Sequence, residues 1–389
     1  MQTMRPFFTF RGLVTGPYWS SALSLLLAVL SALIYAQPHV SIAVHTGKPD
    51  LVFSSGEQIN RVQAAQAALA NCRNAMAYLP ELASTGVCEV ARMDGIVVTP
   101  ATELLPRAPA PLFLWRFEHD EATVYLGGTI HVLKESLYPL PRPYLDAYAA
   151  TQKLVFEVDL SRYPPAQVQQ QTMTYATLPE QSLRQSLPSD TYSRLVSAGL
   201  IYGLPVGQMQ AFKPMLAFQQ LGLLGFIAMG YDPEFGIDHY FGQLGEREAE
   251  DILQLETLDL QLNLLFNQPL NVQIAVLEQA LADLDDIEQS TSALVSAYFN
   301  GDDARLLSLI EEQAGEHPLT RAFNAQLLDQ RNRAMAKTIQ AYLESDQSYL
   351  VLVGAAHTVG PRGIVALLES AGFTATRIAS NQTIPELQQ

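Results

Sequence analysis

Two short segments, separated by most of the chain, repeat one design: an apolar strand that runs into Gly-X-X-His. The first is Ala122-Thr-Val-Tyr-Leu-Gly-Gly-Thr-Ile-His131, and the second is Tyr349-Leu-Val-Leu-Val-Gly-Ala-Ala-His357. An apolar or β-branched run closed by glycine reads as a buried strand. The glycine lets the backbone turn sharply or approach another group closely. Each histidine then stands near the carboxyl end of its strand, where open α/β sheets bind their ligands. Two such histidines from distant parts of one chain predict a shared site.

The surrounding sequence predicts the sheet. Leu112–Phe117 and the first segment form a hairpin around Glu118-His-Asp120. A short helix over Pro143–Thr151 leads into a strand over Lys153–Asp159, a βαβ unit and hence a parallel pair. Residues 165–230 read as mainly helical, Asp251–Glu256 as a strand, and 259–345 as several helices. A second βαβ unit closes the chain: Tyr349–Val353, a helix near Gly363–Ser370, and Thr374–Ile378. The expected fold is α/β: a central mixed sheet, βαβ units at both ends of the domain, and a large helical insertion between them. Met215–Met229 is almost wholly apolar but too short to span a bilayer and interrupted by Gln219 and Gln220. It reads as a buried helix or an apolar wall beside the site.

The main domain is expected over residues 112–389. Before it, Pro100–Pro111 carries prolines at 100, 106, 109 and 111 and reads as a linker. Residues 37–60 lack periodicity and read as an irregular leader. Glu57–Leu79 reads as an amphipathic helix with Val62, Ala65, Leu69 and Cys72 on one face. Cys72 and Cys88, the only cysteines, are too few for a metal site and would form a disulfide after export. Arg5 and Arg11 precede an uncharged stretch, Ala22–Ala36, that suits a signal-peptide core or an uncleaved anchor over residues 1–36. The bulk of the chain is then expected in the periplasm, outside the cell, or tethered to the membrane by that segment alone. A net charge of −16 over 389 residues disfavours nucleic acid and anionic membrane surfaces.

The chemistry-bearing residues fall at the same predicted sheet edge. Glu157 and Glu256 each end a strand, as His131 and His357 do. Two imidazoles with one or two carboxylates form a set for a divalent ion, and such mixed ligands suit zinc, manganese, cobalt or iron. Arg331 lies on the apolar face of a helix over Leu319–Leu343, with Leu327, Leu328, Ala334 and Met335 three and four residues away. A buried arginine there needs an acidic partner, either a structural ion pair or an acidic site. Asp238 is expected to cap a helix, with His239 on the surface and the site as the alternative for both. His39, His45, His119 and His317 are expected to be solvated.

These residues together resemble the TraB/PrgY/GumN family, which is related to the Tiki extracellular metalloproteases. The matching segments are Tyr125-Leu-Gly-Gly-Thr-Ile-His131, Phe156-Glu-Val-Asp159, Lys213-Pro214, Gly236-Ile-Asp238, Leu255-Glu256-Thr257, Arg331-Asn332-X-X-Met335-Ala336 and Val353-Gly-Ala-Ala-His357 with Gly360. They fall in family order over about residues 112–379. Gly127 before Gly128 departs slightly from the usual pattern. The resemblance implies metal-dependent hydrolysis, most plainly of a peptide or protein substrate. It implies His131, His357 and Glu157 as metal ligands or catalytic groups, with Glu256 and Arg331 as supporting charges. Asp238 and Asn332 become supports for these groups. Glu256 would complete the ligand set or act as general base, and Arg331 would stabilise an oxyanion. A peptide-binding regulator without chemistry, and an ester or lactone hydrolase, are the alternatives.

Overall fold

The computed structural model of the protein describes residues 37–248 and 251–385. The signal-peptide or anchor reading of residues 1–36 lies outside the described residues. From residue 39 on, the described residues form one compact unit. It opens with an antiparallel sheet of β1 (Ser41–His45), β2 (Lys48–Ser54), β3 (Cys88–Met93) and β4 (Ile96–Val97), in the order β2-β1-β3-β4. The expected irregular leader is therefore a hairpin. Its periodicity is hidden because the inward positions of β1 are Ser41, Ala43 and His45, whereas the bulkier Ile42 and Val44 are only half-buried. His45 is accordingly buried rather than solvated, and among the described residues neither ring nitrogen has a hydrogen-bond partner.

A helix over Arg61–Met76 packs on this sheet, started by the Asn60 side chain accepting from the Gln63 amide. Cys72 from the helix and Cys88 from β3 are joined by a disulfide, their Cα atoms 6.0 Å apart. The pair sits in a small core with Ala43, Ala68 and Met76. Val90, Met93, Ala101 and Leu104 belong instead to the main core. Buried Lys134 adds a polar tie, donating to the Thr99 carbonyl at 3.0 Å and lying over the Tyr231 ring.

The second sheet has six strands: β5 (Pro111–His119), β6 (Ala122–Thr129), β7 (Lys153–Phe156), β8 (Ile252–Gln254), β9 (Ser348–Gly354) and β10 (Thr376–Ala379). Their order is β10-β5-β6-β9-β7-β8, with β5 antiparallel to both neighbours and the remaining pairs parallel. Every residue of β9 is buried, as a central parallel strand covered on both faces requires. The α/β mixed sheet with intervening helices is as the sequence predicts. Two details differ: β10 adjoins β5 rather than β9, and β6 and β7 run parallel but do not pair, because β9 lies between them. That insertion sets Gly128 opposite Val353 and Thr129 opposite Gly354, placing the ends of the two Gly-X-X-His strands side by side.

Apart from β8, the interval between β7 and β9 is mainly helical. Pro214–Ala228 is apolar nearly all round and buries Met215, Leu216, Ala217 and Leu221. Among the described residues, no helix is long and apolar enough to cross a membrane. The predicted helix over Leu319–Leu343 is interrupted. Pro318–Ala325 and Arg331–Leu343 are α-helical, but Gln326–Gln330 forms a π turn between them. Such turns occur often at functional sites, and this one delivers Arg331.

Candidate functional site

The parallel strands end in step, and their carboxyl edge carries four of the predicted groups. Glu157 follows β7 directly, and Glu256 follows β8 by two residues. His131 follows β6 by two residues, while a single turn, Ala355–His357, returns His357 to the edge beyond β9. Backbone pairing continues past the strands: the Leu255 amide donates to the Phe156 carbonyl at 2.9 Å, and the Glu256 amide to the Glu157 carbonyl at 2.8 Å. The Gly354 amide donates to Glu157 Oε1 at 2.7 Å. A Cβ on Gly354 would sit 3.4 Å from both Glu157 Oε1 and His131 Nε2, so this glycine lets the strand end approach both groups closely.

Arg331 reaches this edge from below. Its Nη2 donates to Glu157 Oε2 at 2.5 Å, and its Nε faces both Glu256 oxygens at 3.0 and 2.9 Å. Its Nη1 donates to the Leu327 carbonyl at 3.3 Å and lies 3.1 Å from His357 Nε2. Gln261 Nε2 bridges the two carboxylates at 3.3 and 3.4 Å. A largely buried arginine between buried Glu256 and largely buried Glu157 is the pairing that its apolar helix face demanded.

The partners fix the two imidazoles. Asn332 Nδ2 donates to the Arg362 carbonyl at 2.8 Å, which turns its Oδ1 toward His357 Nδ1 at 2.6 Å. His357 Nδ1 must therefore carry the hydrogen, leaving Nε2 as an acceptor that faces Arg331. Burial pushes the His357 imidazolium down to about 4, so it is neutral near pH 7. His131 Nδ1 donates instead to Asp238 Oδ2 at 2.7 Å, and Asp238 Oδ1 accepts from the Thr129 hydroxyl at 2.8 Å. The Asp238 carboxylate raises the His131 imidazolium to about 9. That side chain is 66% exposed, so water screens part of the attraction. Burial alone would raise the Glu157 carboxyl, but its neighbours draw it down to about 2. With His357 neutral, that pull belongs to Arg331, His131 and the Gly354 amide.

A model of the TraB/PrgY/gumN family matches residues 113–377. The chain belongs to that family. It is also 22% identical over 324 residues to a protein of Amphimedon queenslandica described as "Metalloprotease TIKI homolog", covering 70% of this chain. The match spans 62% of that relative's length. No solved structure matches the chain.

In this TraB/PrgY/gumN protein, His131, Glu157, Glu256, Arg331 and His357 converge, and Asp238 and Asn332 support the two histidines from behind. Asp238 does not cap its helix. It sits within the first turn of Ile237–Glu248, and its oxygens are committed to Thr129 and His131. His239 is exposed, as expected. Three other histidines have partners: His39 bonds Asp94, His119 bonds the Leu343 carbonyl, and His317 accepts from the Leu319 amide. Gln261 escaped sequence reading because no motif marks it. Its only signal is its place one turn into the helix opened by Thr257, directly after Glu256.

The donor chemistry here fits a divalent ion. Each imidazole is held through Nδ1 by an oxygen and turns Nε2 inward, as metal-ligating histidines do, and the Glu157 carboxylate lies between them. Among the described residues, no three His, Cys, Asp or Glu side chains stand at metal-holding geometry. Arg331 bonds Glu157 Oε2 and faces His357 Nε2 in the same space.

Proposed function

We propose that this protein is an exported, metal-dependent hydrolase acting on peptide bonds. The observation that carries the reading is the convergence of His131 and His357, each held through Nδ1 by an oxygen, on Glu157. The family membership and the description of the Amphimedon queenslandica relative support it. Export is supported by the Arg5 and Arg11 flank before Ala22–Ala36 and by the Cys72–Cys88 disulfide.

His131 Nε2, His357 Nε2 and Glu157 would hold the ion. When bound, a divalent ion supplies Lewis acidity for the scissile carbonyl and for a water nucleophile. Asp238 and Asn332 orient the imidazoles and fix which nitrogen each presents. Arg331 keeps Glu157 ionised and in place, and it supplies the positive charge nearest a developing oxyanion. Glu256, with both oxygens on Arg331, anchors the guanidinium. The reaction adds water across the amide: hydroxyl to the carbonyl carbon, hydrogen to the leaving nitrogen.

The test is hydrolysis of peptide, ester and lactone panels by the full chain supplied with manganese, cobalt or zinc. Peptide turnover is expected, and it should vanish in His131→Ala and His357→Ala while circular dichroism stays unchanged. Peptide binding without turnover under any metal would overturn the proposal in favour of a regulatory binding protein. Turnover confined to esters or lactones would move the substrate class.

A further inference from the structure

A cavity of about 480 Å³ lies among the helices of the insertion. Its walls are apolar, with Phe218, Leu221, Phe226, Val276, Phe323 and Leu327 prominent. Phe218, Gly222 and Phe226 recur every fourth residue and so share one face of the Pro214–Ala228 helix. Gly222 and Gly225 behave differently. A Cβ on Gly225 would lie 2.4 Å from Ile287 Cδ1, so this glycine seats one helix against the next. A Cβ on Gly222 would meet nothing within 4 Å, although Gly222 lines the cavity. The space is therefore not consumed by close packing of the two helices. Its size falls in the range of small-molecule sites.

The charges of the lining have one sign. Asp283, Asp286 and Glu312 contribute carboxylates, and among the described residues no Lys, Arg or His lines the cavity. Glu312 is already paired with Arg305 at 2.9 Å, and Asp283 accepts from Gln279 Nε2 at 2.9 Å. Asp286 is exposed, and among the described residues its carboxylate has no hydrogen-bond or ion-pair partner. An apolar chamber with aromatic walls and an acidic lining favours a hydrophobic body bearing a positive charge, by desolvation, cation–π attraction and Coulomb attraction together. A fatty-acid anion would meet repulsion in the same place.

We infer that this cavity is a binding site for an amphipathic cation, an apolar body carrying one amine or quaternary ammonium. It lies beside the hydrolytic site: Leu327 lines it, and the Leu327 carbonyl accepts from Arg331. The site does not depend on the hydrolase reading, and its test reads binding alone.

Calorimetric titration of the full chain with octyltrimethylammonium, octanol and octanoate decides the matter. The cation should bind saturably at one site, more tightly than octanol, with octanoate weakest. Gly222→Leu, which grows into the chamber and raises helix propensity, should weaken the cation about tenfold or more. Ser290→Leu, from another helix of the lining, should act in the same direction. Asp283→Asn with Asp286→Asn should bring the cation toward the affinity of octanol, a loss of about threefold to tenfold. Octanoate binding as well as the cation, no saturable binding of the cation, or binding indifferent to both filling substitutions would each overturn the proposal.

Discussion

The two Gly-X-X-His segments share a sequence design, lie side by side in one sheet, and hold their imidazoles in opposite states. His131 stands at the open side of the edge, 66% exposed, with a carboxylate at Nδ1. His357 is buried, 6% exposed, with an amide oxygen at Nδ1 and a guanidinium at Nε2. One is drawn up to about 9 and the other pushed down to about 4. The motif therefore sets position, whereas the Nδ1 partner and the access of water set protonation. For both imidazoles to serve one ion through Nε2, His131 must give up a proton that His357 does not carry, so metal binding should strengthen as pH rises.

The largest effect is expected from breaking the buried half. Arg331→Met leaves Glu157 and Glu256 without their countercharge and should lower stability by about 3–5 kcal/mol in urea unfolding. A loss below about 1 kcal/mol would mean that the carboxylates are solvated and that the His357 side is not the dry half. Removing the histidines should separate the two sides next. His357→Ala should destabilise by about 1–3 kcal/mol, and His131→Ala by less than about 1 kcal/mol, although both abolish turnover. Equal stability costs would contradict the difference in burial.

Exchanging the Nδ1 partners sharpens the comparison further. With Asp238→Asn, His131 should titrate back toward its ordinary 6.5, followed by NMR of the ring protons. With Asn332→Asp, His357 should rise from about 4, because a carboxylate favours the imidazolium. Unmoved titrations would assign the asymmetry to burial alone. The smallest effect is on stability against pH. Since Asp238 raises the folded-state value of His131 to about 9, its contribution is complete below about 6.5 and lost as pH rises through 9. The stability gap between the wild type and Asp238→Asn should close over that window.

Much of this site was legible because strand ends and glycines are local signals. His131, Glu157, Glu256 and His357 each terminate an apolar run, and a sheet with parallel strands gathers such ends at one edge. Arg331 was legible as a charge on an apolar face, although the π turn before it was not, since nothing in Gln326–Gln330 breaks helical periodicity. The residues around Asp238 favoured a cap, the ordinary use of Asp at a helix start, and only the family resemblance set it behind the site. Its actual partner lies 107 residues away, a contact that only the folded chain provides. β1 was missed for a different reason. Its inward side chains are small or polar, so the alternation that marks a strand is reversed there. The insertion of β9 between β6 and β7 is likewise a long-range choice that adjacent sequence does not encode.

The central claim is that the two motifs make one site, and metal titration tests it most directly. The full chain and its His131→Ala and His357→Ala variants would be titrated with manganese, cobalt and zinc by calorimetry, with folding checked by circular dichroism. The account predicts one ion per native chain and no such binding in either folded variant. Undiminished binding in either variant, or none in the native chain, would contradict it.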